Sequence, residues 1–183
     1  MASTRSQPQP VRELQVLASL IVSIPLAAIV FGGYLQWTGR MASVGALYGL
    51  DGLVESWAVH FVHTLLAAMG FVLLVACCRP RRLVSRLGLE GSHWTVFATV
   101  LIGGCYGAAL WVVAVALGVP LWMEFVLGAD RPLPYPHRES FVGLVAFGAS
   151  FAACYAGLLE YVAADGSDPP HRLEDDRGDG RAS

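Results

Sequence analysis

The segment from Thr95 to Val119 reads TVFATVLIGGCYGAALWVVAVALGV, 25 residues without a single Asp, Glu, Lys or Arg. At a helical rise of about 1.5 Å per residue, such a run exceeds the roughly 30 Å of a bilayer's hydrocarbon core. Three other stretches share its character: Leu14 to Trp37, Trp57 to Cys78 and Phe141 to Val162. The only ionised side chain in them is Glu160, in the last turn of the fourth, within reach of an interface. A charge at mid-bilayer costs about 2.5 to 3.5 kcal/mol on insertion scales, so runs this clean rarely belong to loops. They are unbroken rather than alternating, which argues against a β-barrel and leaves helix as the solution in lipid. The expected fold is all-α, a polytopic four-transmembrane-helix bundle over residues 14–163, between a disordered N-terminal tail at 1–13 and a disordered acidic tail at 164–183.

Composition agrees. The chain of 183 residues is 55% hydrophobic and 14% charged, too apolar for an ordinary soluble domain and too long for one span. All 12 basic residues are Arg, and neither Lys nor Asn occurs, which reads as nucleotide bias of a genome rather than as mechanism. Cys77, Cys78, Cys105 and Cys154 fall in or at the end of apolar runs without a CxxC pair, so neither a disulfide framework nor a zinc site is expected. Arg5 and Arg12 precede the first run as in a signal peptide, but its length exceeds the roughly 7 to 15 residues of a signal's apolar region and implies an uncleaved anchor.

Charge also orients the spans. Arg79, Arg81, Arg82 and Arg86 crowd the second connection, whereas the first has only Arg40. The positive-inside rule then makes the second connection cytoplasmic, with both termini on that side of the cell membrane. Trp37, Trp57 and Trp122 fall near the outer interface and Trp94 near the inner one, where amphipathic rings prefer to lie. Met41 to Val54, and Leu121 to Leu127 beyond Pro120, are apolar enough for short helices along the outer surface. Pro25 reads as a kink in the first helix and Pro120 as the stop of the third. Gly33-x-x-x-Trp37 and Gly107-x-x-x-Trp111 echo each other as a duplicated hairpin would leave them.

Chemistry concentrates on the second run. His60, His63, Thr64, Ala67, Gly70 and Leu74 form one stripe at helical spacing, opposite the bulky Phe61, Leu65, Val72 and Val75, so the histidines face other helices. With Asp51 and Glu55 beside them, and Glu124, Asp130, His137 and Glu139 on the other outer connection, they have the ligand types of an outward-facing metal or proton site. The plainer alternative, which the spacing favours because it matches no strong motif, is interhelical hydrogen bonding by the histidines and solvated acids. No second span supplies an interior histidine for bis-histidine haem. Gly103 and Gly107, and Gly148 and Ala152, form small-residue ridges suited to close helix packing.

GxxxxGK[ST], GxGxxG, GxSxG and HExxH are all missing, and the longest polar segment is about twenty residues, too short for an ATP-consuming domain. Catalytic residues and cofactors are not expected.

The chain resembles a group of uncharacterised small four-helix integral membrane proteins of halophilic archaea. The resemblance rests on Gly45-Ala-Leu-Tyr48-Gly49-Leu, Trp57-Ala-Val-His60-Phe-Val-His63, Tyr106-Gly107-Ala-Ala-Leu-Trp111 and Pro120-Leu-Trp122, and covers residues 14–160. It implies the fold and attaches no chemistry. Such relatives are expected to carry a His after the glycine of Ser140-Phe-Val-Gly143, where this chain has Leu144. The expected role is therefore a non-enzymatic scaffold or accessory subunit in the bilayer, partnered by a second copy or a larger membrane protein and not by nucleic acid. The alternative is a small transport or ion-handling module using His60 and His63.

Overall fold

The computed structural model describes residues 9–89 and 91–165. The rest of the two tails lies outside the described residues. In chain order the elements are α1 (Gln9–Trp37), α2 (Met41–Ala46), α3 (Leu53–Cys78), α4 (Pro80–Arg86), α5 (Ser92–Leu110), a π-helical segment (Trp111–Gly118), α6 (Val119–Leu127) and α7 (Arg138–Asp165), with no strand among the described residues. Four stretches are long and apolar enough to cross a membrane: Glu13–Trp37, Leu53–Arg86, Ser92–Leu127 and Arg138–Tyr161.

The helices run past the expected spans, α3 starting at Leu53 rather than Trp57 and α7 covering Arg138–Asp165 rather than Phe141 to Val162, and two further differences involve proline. Residues 9–13 were expected in a disordered tail, yet α1 begins at Gln9. Pro10 sits in the first turn, where a missing N–H removes no intrahelical bond and the fixed φ suits a helix. Pro120 was expected to stop the third helix, yet winding continues to Leu127. Proline removes the N–H that would bond the carbonyl four residues back, here Ala116, and crowds it. In this chain the eight preceding residues open into the wider π winding, and the Ala116 carbonyl accepts instead from the Tyr135 N–H at 2.9 Å. The helix ends at Gly128, whose φ of 64° lets the Ala129 N–H reach back to the Met123 carbonyl at 2.9 Å.

The four long helices stand in a ring in the order α3, α1, α7, α5, each packed on its neighbours except at the thin α3–α5 seam. The tightest contact is between α5 and α7. A side chain at Gly103 would strike the Gly148 carbonyl and Ala152, and one at Gly107 the Leu144 carbonyl, so the backbones touch directly. Such close approach brings many atoms of the two helices into van der Waals range, which adds to their association. Between α3 and α7 lies a buried aromatic core in which Phe71 meets Phe151 edge to face at 5.4 Å and Tyr155 at 6.3 Å. The repeated Gly-x-x-x-Trp pairs play different parts: Gly33 faces open space and Trp37 is 85% exposed, whereas Gly107 is packed and the Trp111 indole is hydrogen-bonded.

At the opposite end from α2, Glu160 on α7 accepts from Arg81 on α4, Nη2 to Oε1 at 2.6 Å, so the one acid of the fourth run has a cation beside it. Large apolar side chains such as Ile21, Leu73, Val113 and Phe125 are exposed around the outside of the ring.

Gly107→Ala is expected to destabilise the chain by about 1 to 3 kcal/mol, because the added methyl meets backbone that cannot rotate away. Gly33→Ala, with nothing within 4 Å, is expected to be neutral or stabilising. Thermal unfolding of the two variants in detergent checks the contrast, and equal behaviour would remove the α5–α7 contact from the account.

Candidate functional site: a cavity at the α3–α5 seam

Tyr106 explains where the seam opens. Its hydroxyl donates to the Ala67 carbonyl of α3 at 2.7 Å, and its ring lies 5.7 Å from Phe71. Gly70 makes room for this side chain, since a methyl there would press on the hydroxyl. On the α2 side of this bridge the helices part around a cavity of about 660 Å³. Tyr106, Ala67, Leu144 and Phe147 line its deep end. The π segment supplies one wall through Ala114, Val115 and Gly118, and its wide turn displaces this part of the third span from an ordinary helical path.

The mouth is covered from two directions. On one side the chain turns after α2: Gly45 packs against Ser56 of α3, its carbonyl accepts from the Tyr48 N–H at 2.8 Å, and Gly49 has a φ of 69° that favours glycine. This turn carries the Tyr48 hydroxyl to His63 Nε2 at 2.7 Å. From the other direction, α6 brings the Trp122 indole N–H to the Leu47 carbonyl at 2.6 Å, with its ring 5.6 Å from Tyr48. Residues 128–137 close the remaining side. The Trp111 indole donates to the His137 carbonyl at 3.1 Å and to the Ser140 hydroxyl at 3.0 Å, and His137 Nδ1 lies 3.0 Å from the same hydroxyl.

Both histidines of the α3 stripe reach the cavity wall, with different attachments. His60 is buried, and its Nε2 lies 3.0 Å from the Ala28 carbonyl. A carbonyl only accepts, so Nε2 carries a proton and ties α3 to α1. Gly32 permits the approach, because a methyl there would meet Trp57 and His60. His63 is half-buried and belongs to the Tyr48 contact. Asp51 and Glu55, grouped with them on sequence grounds, are exposed and do not line the cavity. Glu139 stands near the mouth instead, 3.1 Å from Arg40 Nε and 3.9 Å from His137 Nε2. Among the described residues no group of three or more His, Cys, Asp or Glu side chains is placed to hold a metal ion.

Sequence reading did not single out Tyr48, Tyr106 or Trp122 as site residues, though each is a polar aromatic inside or beside an apolar run. That combination was the available signal, since a buried hydroxyl or indole N–H needs a partner on another element. Leu144 on α7 lines the same cavity as His60 on α3.

Comparison with family models, with curated proteins and with solved structures finds no match to this chain.

His60→Ala is expected to cost about 2 kcal/mol, because it breaks the α1–α3 bond and leaves a hole beside Phe31 and Trp57. His63→Ala is expected to cost about 1 kcal/mol or less, as one hydrogen bond of a half-exposed group. Denaturant unfolding in detergent distinguishes them, and a larger loss for His63 would contradict the assignment of His60 to the helix contact.

Proposed function

We propose that this chain is a non-enzymatic integral membrane protein that binds a small, largely apolar guest in the cavity between α3 and the third span, as an accessory subunit would. The bilayer is inferred from four long apolar helices whose outer faces expose Leu, Ile, Val and Phe over their length, an arrangement that water would not tolerate as a monomer. The cavity carries the functional part of the reading. Its volume of about 660 Å³ falls in the range of small-molecule sites, and it combines apolar walls with a few converging polar groups.

The residues around it suit binding rather than catalysis. Each polar side chain in the deep part is engaged: Tyr106 with Ala67 and His60 with Ala28 across helices, and Thr64 with the His60 carbonyl one turn back in α3 at 2.9 Å. No nucleophile stands against a base in that deep part, and at the mouth the Ser140 hydroxyl beside His137 Nδ1 donates to the His137 carbonyl at 2.9 Å and accepts from the Trp111 indole. A transport module would draw on the same cavity with His60 and His63 in its wall, but Asp51 and Glu55 lie outside it and leave imidazole as the only group from that set. The charge pattern that places the Arg79–Arg86 connection on the cytoplasmic side also puts the cavity mouth on the outer side of the cell membrane. Whether it acts as a single copy or beside a partner does not alter the site, which is built within one chain.

The test is native mass spectrometry of the chain released from mild detergent. One small amphiphile or apolar molecule per chain is expected, absent from an Ala114→Trp variant whose indole fills the cavity while unfolding temperature stays within a few degrees of the parent. A chain that carries no guest, and that takes up none when offered lipid extract, would contradict the reading.

A further inference from the structure

We infer that the guest is an anionic amphiphile, with a carboxylate or phosphate head at the mouth and a hydrocarbon chain toward Tyr106. This rests on the reading that the cavity holds a guest at all. Its basis is the sign of the charge around one opening. The titratable side chains in the walls are Arg40, Arg131, Tyr residues and three histidines, and no acid among the described residues lines them. Glu124 and Asp130 stand outside the walls, and Glu139, the acid near the opening, is paired with Arg40 at 3.1 Å and leaves Arg131 uncompensated.

Arg40 is held but not used up. Its Nε donates to Glu139 at 3.1 Å, which fixes the guanidinium, and its terminal nitrogens have no partner among the described residues. Arginine presents five N–H donors in a rigid fork, so most of them stay available for an oxyanion. Arg131 makes no ion pair among the described residues. The deep end, in contrast, is Leu144, Phe147 and Ala67 with one tyrosine already committed to a carbonyl. Cationic at the rim and apolar below, the cavity matches a molecule of the opposite polarity order. A neutral chain would forgo the charge-assisted bonds, and a cationic one would meet two arginines.

The test uses the full chain in nanodiscs of phosphatidylcholine, which adds no net anion, and a fluorescent undecanoate as the displaced probe. Oleate, oleyl phosphate, oleyl alcohol and oleylamine share a chain and differ in head group. Both anions are expected to displace the probe at least about tenfold more tightly than the alcohol, the scale of a hydrogen bond to a charged group, with the amine weakest. A free fatty acid as the source favours oleate over oleyl phosphate, and a phosphate-headed lipid reverses that order. Arg40→Gln with Arg131→Gln should bring both anions to the level of the alcohol while the alcohol is unchanged; if that variant does not fold, the head-group series on the unaltered chain decides. Alcohol and anions binding equally well would overturn the anionic inference and leave the guest-binding reading standing. No saturable displacement by any of the four would overturn both.

Discussion

Gly103, Gly107 and Gly148 bring α5 and α7 together backbone to backbone, and the positions of the other helices follow from that contact. Contact of this kind strengthens with the number of atoms that come within van der Waals range. A helix that spends its small-residue face on α7 cannot also lie flush on α3. The α3–α5 seam is consequently joined through one long side chain, Tyr106 to the Ala67 carbonyl, and is open beyond it. The aromatic core of Phe71, Phe151 and Tyr155 fills the closed half, and the cavity occupies the other.

Proline chemistry shapes the open half. Pro120 takes away one intrahelical donor, the π turns before it change the path of the chain, and the abandoned Ala116 carbonyl becomes the anchor for Tyr135. A local defect in the ladder thereby fastens the connection 128–137 over the mouth. On the opposite side, two glycines with different duties place Tyr48: Gly45 by allowing α2 to touch Ser56, and Gly49 by turning the chain with positive φ. The roof is thus made of short pieces, α2 packed on α3 through Met41 and Gly45 and α6 continuing the third span, with Trp122 joined to Leu47 across the mouth.

Charge exclusion made the four long helices legible, because a bilayer penalises each misplaced ion by several RT. The inward direction of His60 and His63 was legible too, but Val72 and Val75, read as part of the opposite face, pack against the aromatic core around Phe71. What could not be read was which partner each histidine would take. That depends on Gly32 across the ring and on a turn that delivers Tyr48, neither of which is encoded in α3 itself. Asp51 and Glu55 were grouped with the histidines by nearness in sequence, yet the first lies in the turn before α3 and the second in its exposed first turn. Pro120 misled for a related reason: its effect on an α-helix is predictable, but relief by a π segment and a distant N–H is a tertiary matter. Tyr48, Tyr106 and Trp122 share one feature, a hydrogen bond that crosses from one element to another.

Helices α3 and α5 stand apart around a cavity while α5 and α7 are in backbone contact. Electron cryomicroscopy of the chain in a lipid nanodisc, with a fiducial binder for size, tests this arrangement most directly. The account predicts an elongated density between α3 and the π segment, above Tyr106 and below Tyr48 and Trp122. Helices α3 and α5 packed along their whole length, with no space between them, would contradict it.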